Sequence, residues 1–180
     1  NGWSKDEITV YETIVKDKEG NEKTVKVEMD DGLRPKTTLE GLAKLKPAFK
    51  KGGSTTAGNA SQTTDGAAVV LLARRSWAKK MGLPIKGRML SFAAAGVPPE
   101  IMGVGPAFAI PKALEKTGLS IDNIDVWEVN EAFACVAMFA MRDIGIPHEK
   151  INVNGGGTAL GHPIGASGTR IIVTLLNALK

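Results

Sequence analysis

The 180-residue sequence holds one cysteine, two histidines and one tyrosine, and aromatic residues make up only 5% of it. The lone cysteine, Cys135, cannot close an internal disulfide, which points to a reducing compartment. One cysteine and two widely spaced histidines, His148 and His162, do not supply a zinc ligand set, so no metal site is expected. Apolar runs long enough to cross a membrane are absent, and Asn1-Gly-Trp-Ser4 lacks the pattern of a signal peptide. The glycine-rich stretch 154–168 contains neither Gly-x-Gly-x-x-Gly nor Gly-Lys-Ser/Thr, which argues against a nucleotide-binding loop.

The sequence is otherwise that of a soluble globular protein, 43% hydrophobic and 23% charged, with a net charge of +4. Basic groups at Lys44/Lys46/Lys50/Lys51 and Arg74/Arg75/Lys79/Lys80 read as solvated surface without a nucleic-acid motif. A phosphate-bearing small ligand fits this balance equally well. The chain starts without Met and ends in a helical pattern with no cap, as expected of a segment of something larger.

Alternation around Asp17-Lys-Glu-Gly20 predicts a hairpin within residues 6–29. Thr38 is placed to cap a short helix over Leu39 to Leu45, stopped by Pro47. Ala67 to Ala73 is a continuous apolar run, readable as a buried strand or a helix. A helix is expected over Arg74 to Met81, a strand over Gly87 to Ala93, and a helix over Pro106 to Lys116, kinked or started late by Pro111. Ile124 to Val129 reads as a strand, Glu131 to Ile144 as an apolar helix ended by Gly145, and Ile151 to Val153 as a short strand. A last helix is expected over Gly168 to Lys180, with Ile172, Leu175, Leu176 and Leu179 on one face. From residue 87 onward this alternation predicts a layered α/β domain.

Two loops carry candidate chemistry. His162 sits in the glycine-dense stretch Asn152 to Gly168, where glycines let the backbone approach a ligand closely. A histidine there suits a general base, although an ordinary strand-to-helix connection with a structural histidine has the same composition. Asn130-Glu131 lies at another strand-to-helix junction. The Asn130 amide could serve an oxyanion or a water and Glu131 could fix neighbouring groups, or the pair could simply cap the helix. Both loops follow strands, so both can project over the carboxyl edge of one sheet, where α/β proteins bind ligands. A donor and a base at one crevice make half of an acyl-transfer site, and a nucleophile is missing. Cys135 lies among apolar neighbours, which predicts a buried packing role for it.

Asn130-Glu-Ala-Phe133, Asn154-Gly-Gly-Gly157 with Gly161-His-Pro-Ile-Gly-Ala-Ser-Gly168, and Ala57-Gly-Asn-Ala-Ser61 resemble three ordered motifs of the thiolases. Leu33-Arg-Pro-Lys-Thr-Thr38, Leu45-Lys-Pro-Ala-Phe49 and Ser91-Phe-Ala-Ala-Ala-Gly96 are most similar to the peroxisomal-type 3-ketoacyl-CoA thiolases. The resemblance covers essentially the whole chain and implies a layered α/β/α/β/α fold. In it, residues 1–64 form the later part of a CoA-covering loop domain, 65–86 end the N-terminal half, and 87–180 form most of the C-terminal half.

By the same resemblance, His162 matches the histidine that activates the nucleophilic cysteine and lies beside the thioester oxygen. Asn130 matches the asparagine that holds a water in the first oxyanion hole. Ser61 matches a pantetheine contact, Arg34 an arginine near the adenine of coenzyme A, and Phe49 a pantetheine-pocket aromatic. The implied reaction is thiolytic cleavage of 3-ketoacyl-CoA in fatty-acid β-oxidation, by a peroxisomal homodimer with coenzyme A as co-substrate and no permanently bound cofactor. Biosynthetic acetoacetyl-CoA thiolase and a non-catalytic CoA- or lipid-binding module are the competing implications. Cys135 matches neither family cysteine. The nucleophile is expected in an N-terminal half and the acid/base cysteine beyond Lys180, so the segment alone is expected to be inactive.

Overall fold

The computed structural model describes residues 2–180. A hairpin leads, formed by β1 (Tyr11–Lys16) and β2 (Glu22–Val27), antiparallel with Tyr11 opposite Val27 and Lys16 opposite Glu22. Its turn is closed by the Asp17 carboxylate, which accepts from the amides of Glu19 and Asn21, while Gly20 takes a positive φ of 88°. Helix α1 (Leu39–Ala43) follows, with the Thr38 hydroxyl accepting from the Gly41 amide as its cap. Helix α2 (Arg75–Lys80) ends at Met81, ahead of Gly82 at φ 64°.

The segments between these helices and the second half depart from expectation. Residues 65–73 form neither strand nor helix, and Val69, Leu71 and Leu72 are largely exposed. A strand exists only through a neighbour's donors and acceptors, and none lies alongside among the described residues. Residues 87–93 likewise pair with no strand. They are pinned instead to α3 (Gly105–Glu115), where the Ser91 hydroxyl donates to the Ala113 carbonyl and Lys116 Nζ to that of Phe92. Pro111 lies inside α3 and the helix runs through it.

The core forms between α3 and α4 (Ala134–Ile144). Trp127, Val129, Val136, Ala137, Ala140, Ile146 and Ile151 are buried together there, flanked by Ile110 and Leu114 of α3. Gly145 closes α4 in the left-handed conformation, φ 77°. Two backbone contacts then set the geometry of the site. Trp127 and Ile151 form a parallel bridge, its amides donating across from Trp127 to Lys150 O and from Asn152 to Trp127 O. Ala60 and Phe133 form an antiparallel one, through Ser61 N to Ala132 O and Ala134 N to Asn59 O.

Two helices complete the chain: the single turn α5 (Gly157–Leu160) and the 15-residue α6 (Ile164–Ala178). Helix α6 starts four residues before the expected Gly168, because Pro163 sets the entry and its carbonyl takes the amides of Ala166 and Ser167. Among the described residues no helix is long and apolar enough to cross a membrane.

Candidate active site

The parallel bridge brings the ends of two extended segments side by side, so that Glu128–Asn130 and Asn152–Asn154 leave the core at one edge. Asn152 ties them together. Its backbone is left-handed, φ 48°, which asparagine tolerates better than most residues. Its side-chain oxygen accepts from the Val129 amide at 2.8 Å, and Nδ2 donates to the Val129 carbonyl at 2.9 Å and to Glu131 Oε1 at 2.6 Å. Glu131 in turn accepts from the Thr158 amide at 3.3 Å, and its carboxyl fills the space a Cβ would need at Gly156. Gly156 is therefore a packing requirement against the carboxylate, Gly157 one against the Glu131 backbone, and Gly155 serves its positive φ of 94°.

With Glu131 turned into that network, the capping role considered for Asn130-Glu131 is not what the structure holds. Helix α4 begins at Ala134, and Phe133 stands at its N-cap without a side-chain bond. The Asn130 amide faces His162 instead, with Nδ2 3.3 Å from Nε2 and 3.5 Å from Nδ1. On the ring's other side, Nδ1 lies 2.7 Å from the hydroxyl of Ser167, itself 3.1 Å from the Pro163 carbonyl. Asn130 Oδ1 is buried without a protein partner among the described residues. Ser167 is almost fully buried in the first turns of α6.

The antiparallel bridge adds the loop of residues 57–64. The Ser61 amide donates to the Ala132 carbonyl at 2.9 Å, and the His162 amide donates to the Gln62 carbonyl at 3.5 Å. The loop thus runs beside His162 and continues into the lining of a cleft of about 470 Å³ formed by Thr64, Asp65, Gly66, Pro163, Ile164 and Gly165, with Ser61, Asn130 and His162 outside that lining. Arg34 and Phe49 lie away from this centre. Arg34 Nη1 donates to the carbonyls of Asp31 and Leu33, and the residue borders a second cleft of about 490 Å³ with Lys36, Thr37, Thr38, Leu42 and Leu45. Phe49 is 79% exposed. Cys135, expected in the packing of α4, is exposed, since the face of α4 that enters the core is that of Val136, Ala137 and Ala140.

Behind the site, Glu128 is 2% exposed, with Oε2 3.5 Å from Arg170 of α6 and Oε1 without a partner among the described residues. Burial pushes its carboxyl up to about 7, against the opposing pull of the Arg170 guanidinium. Asp30 is also raised by burial, partly offset by Arg170. Sequence reading missed Asn152, Ser167 and Glu128. The signal for Ser167 was a hydroxyl one helical turn after the Pro163 that opens α6; for Asn152 it was the first asparagine of the Asn152-Val-Asn154 stretch that leads into Gly155-Gly-Gly157.

An α/β protein with a histidine and an amide meeting at the carboxyl ends of paired extended segments is the class the fold and site define. The models for the thiolase N-terminal domain and the thiolase C-terminal domain match residues 4–76 and 83–180. The chain belongs to the thiolase family. It is 59% identical to the peroxisomal 3-ketoacyl-CoA thiolase B of Rattus norvegicus over 99% of this chain, but spans only 42% of that relative's length. Among solved structures, the dimeric peroxisomal thiolase of Saccharomyces cerevisiae is 50% identical with a TM-score of 0.88, covering 99% of this chain and 44% of that one. Human mitochondrial 3-ketoacyl-CoA thiolase in complex with CoA is 42% identical with a TM-score of 0.79, over 86% of this chain and 39% of that one.

Proposed function

We propose that the protein carrying this sequence is a 3-ketoacyl-CoA thiolase of fatty-acid β-oxidation, acting as a peroxisomal homodimer with coenzyme A as co-substrate. The identity to peroxisomal 3-ketoacyl-CoA thiolases over nearly the whole chain carries this reading. In it, residues 1–64 belong to a CoA-covering loop domain, 65–86 end the first half of the fold, and 87–180 belong to the second.

The reaction is covalent catalysis in two steps. A cysteine thiolate attacks the 3-keto carbon, and the bond between C2 and C3 breaks. The acyl group stays on the sulfur, and the departing acetyl-CoA carbanion takes a proton from a second cysteine. That cysteine recovers its proton from the thiol of CoA, whose thiolate then takes the acyl group. Both cysteines are residues other than Cys135, which lies exposed on α4. His162 Nε2 accepts the proton of the attacking thiol and, once protonated, donates to the developing oxyanion. A water held by the Asn130 amide supports the same charge, each donor being worth about 3 kcal/mol. Ser61, Arg34 and Phe49 are assigned to the CoA arm: Ser61 next to the reaction centre, Arg34 at the second cleft, and Phe49 on an open surface where it can close over pantetheine.

The test is a CoA-dependent cleavage assay on acetoacetyl-CoA and on a long-chain 3-ketoacyl-CoA. The natural protein is expected to cleave both, and the isolated 180-residue chain neither. Cleavage of acetoacetyl-CoA alone would replace the degradative assignment with a short-chain one. Binding of CoA without cleavage of either would replace the enzyme with a binding module.

A further inference from the structure

The Ser167 hydroxyl is the group that can select a tautomer of the His162 ring. Asn130 Nδ2, a donor, stands 3.3 Å from Nε2 and 3.5 Å from Nδ1 and so does not choose between the two nitrogens. Nδ1 faces the Ser167 oxygen at 2.7 Å. The serine hydroxyl accepts from Nδ1 and spends its own hydrogen on the Pro163 carbonyl, an acceptor only, at 3.1 Å. The opposite tautomer would leave Nδ1 a bare acceptor facing that oxygen. It would also make Nδ1 compete with the carbonyl for a single hydroxyl hydrogen. Ser167 is 2% exposed, and its bond to the carbonyl four residues back fixes the hydroxyl against the first turn of α6.

We propose that Ser167 is the positioning residue for His162, holding the neutral ring as its Nδ1–H tautomer with Nε2 presented as the free base. The proposal builds on the base role assigned to His162 above. When the ring acts, the S–H bond of the attacking thiol breaks, the sulfur keeps the electron pair, and a new N–H bond forms at Nε2. The Nδ1–H bond to Ser167 persists, so the resulting imidazolium stays in register. Ser167 does for this ring what an orienting carboxylate does in other nucleophile–base pairs, without adding a charge.

The chain has two histidines, so His148→Gln leaves a single ring to observe. Histidine-labelled ¹⁵N NMR with long-range proton correlations, recorded where the ring is neutral, reads which nitrogen carries hydrogen. His162 is expected as a single Nδ1–H tautomer. Ser167→Ala is expected to shift it towards the tautomer mixture of free imidazole, and Ser167→Thr to restore Nδ1–H. An Nε2–H ring in the unsubstituted serine chain overturns the proposal, and so does an unchanged tautomer in Ser167→Ala. If Ser167→Ala loses the dispersed spectrum of a folded chain, the serine and threonine proteins alone decide by the same criterion. In the natural enzyme, Ser167→Ala is expected to lower kcat at least about tenfold with KM within about twofold, and Ser167→Thr to recover most of it. If the tautomer responds as stated but His162→Ala leaves thiolysis unchanged, the tautomer assignment is supported and the catalytic reading of His162 fails separately.

Discussion

Glu128→Gln tests the electrostatics behind the site, because it removes the titration and keeps the shape. The Glu128 side chain is 2% exposed and meets Arg170 at 3.5 Å on one oxygen, with no hydrogen-bond partner among the described residues on the other. That arrangement under-compensates burial, and the carboxyl moves from its ordinary 4.5 up to about 7. Between those two values the folded chain holds a proton that the unfolded chain has released. Stability from this group is therefore fully present below pH 4.5 and is lost as pH rises through about 7. At ~1.4 kcal/mol per pH unit, the gap corresponds to about 3 kcal/mol. Asp30 is shifted in the same direction and remains in both proteins, so the comparison isolates Glu128.

The assay is urea unfolding at pH 4.5, 6 and 8, followed through the fluorescence of the tryptophans, of which Trp127 lies in the core next to Glu128. The parent chain is expected to lose about 3 kcal/mol more than Glu128→Gln between the lowest and highest pH. Above pH 7 the glutamine variant is expected to be the more stable protein, since it no longer buries a charge. Parallel stability curves for the two proteins would refute the reasoning and show that Arg170 compensates the carboxylate in full.

Asn152→Ala is expected to cost about 2–3 kcal/mol in chemical unfolding, because it frees a backbone amide and carbonyl of Val129 and unpairs Glu131; a cost under about 0.5 kcal/mol would contradict that account. Gly156→Ala forces a methyl group into the Glu131 carboxyl and is expected to destabilise by about 1–3 kcal/mol, whereas Gly168→Ala meets open space on α6 and is expected to stabilise by about 0.5–1 kcal/mol. Thermal melts of the pair check both signs at once. In the natural enzyme, His162→Ala is expected to lower kcat at least about a hundredfold with little change in KM, measured by acetoacetyl-CoA thiolysis; near-normal turnover would remove the ring from the mechanism.

Local chemistry was legible wherever a feature closes within a few residues. Asp17 and Gly20 specify the hairpin turn, Thr38 caps α1, and Gly145 ends α4, each through bonds spanning at most four positions. The apolar run at 67–73 and the strand expected at 87–93 show the opposite case. Their composition favours a sheet, but a strand needs a partner, and partner choice is not encoded in the run itself. The late start of α4 and the early start of α6 belong to the same category. In one case Asn152, 21 residues away, and the Thr158 amide, 27 away, claimed the Glu131 side chain; in the other, Pro163 opened a helix through glycines that read as loop.

The candidate site was legible as a pair of loops, because two segments entering the core in parallel must leave it at the same edge. What no local pattern contained was the allocation of polar groups between those loops. Asn130 and Glu131 are adjacent in sequence, and either could cap a helix. The register of Trp127 against Ile151 decides the matter, because it sets Asn152 opposite Val129 and within reach of Glu131. Once Asn152 and the Thr158 amide occupy the carboxylate, Glu131 is committed to holding the glycine loop, and the Asn130 amide is turned to the ring of His162. A one-residue slip in that single bridge would reverse which face Asn152 presents. The donor beside His162 thus depends on the register of a backbone contact between two buried apolar residues.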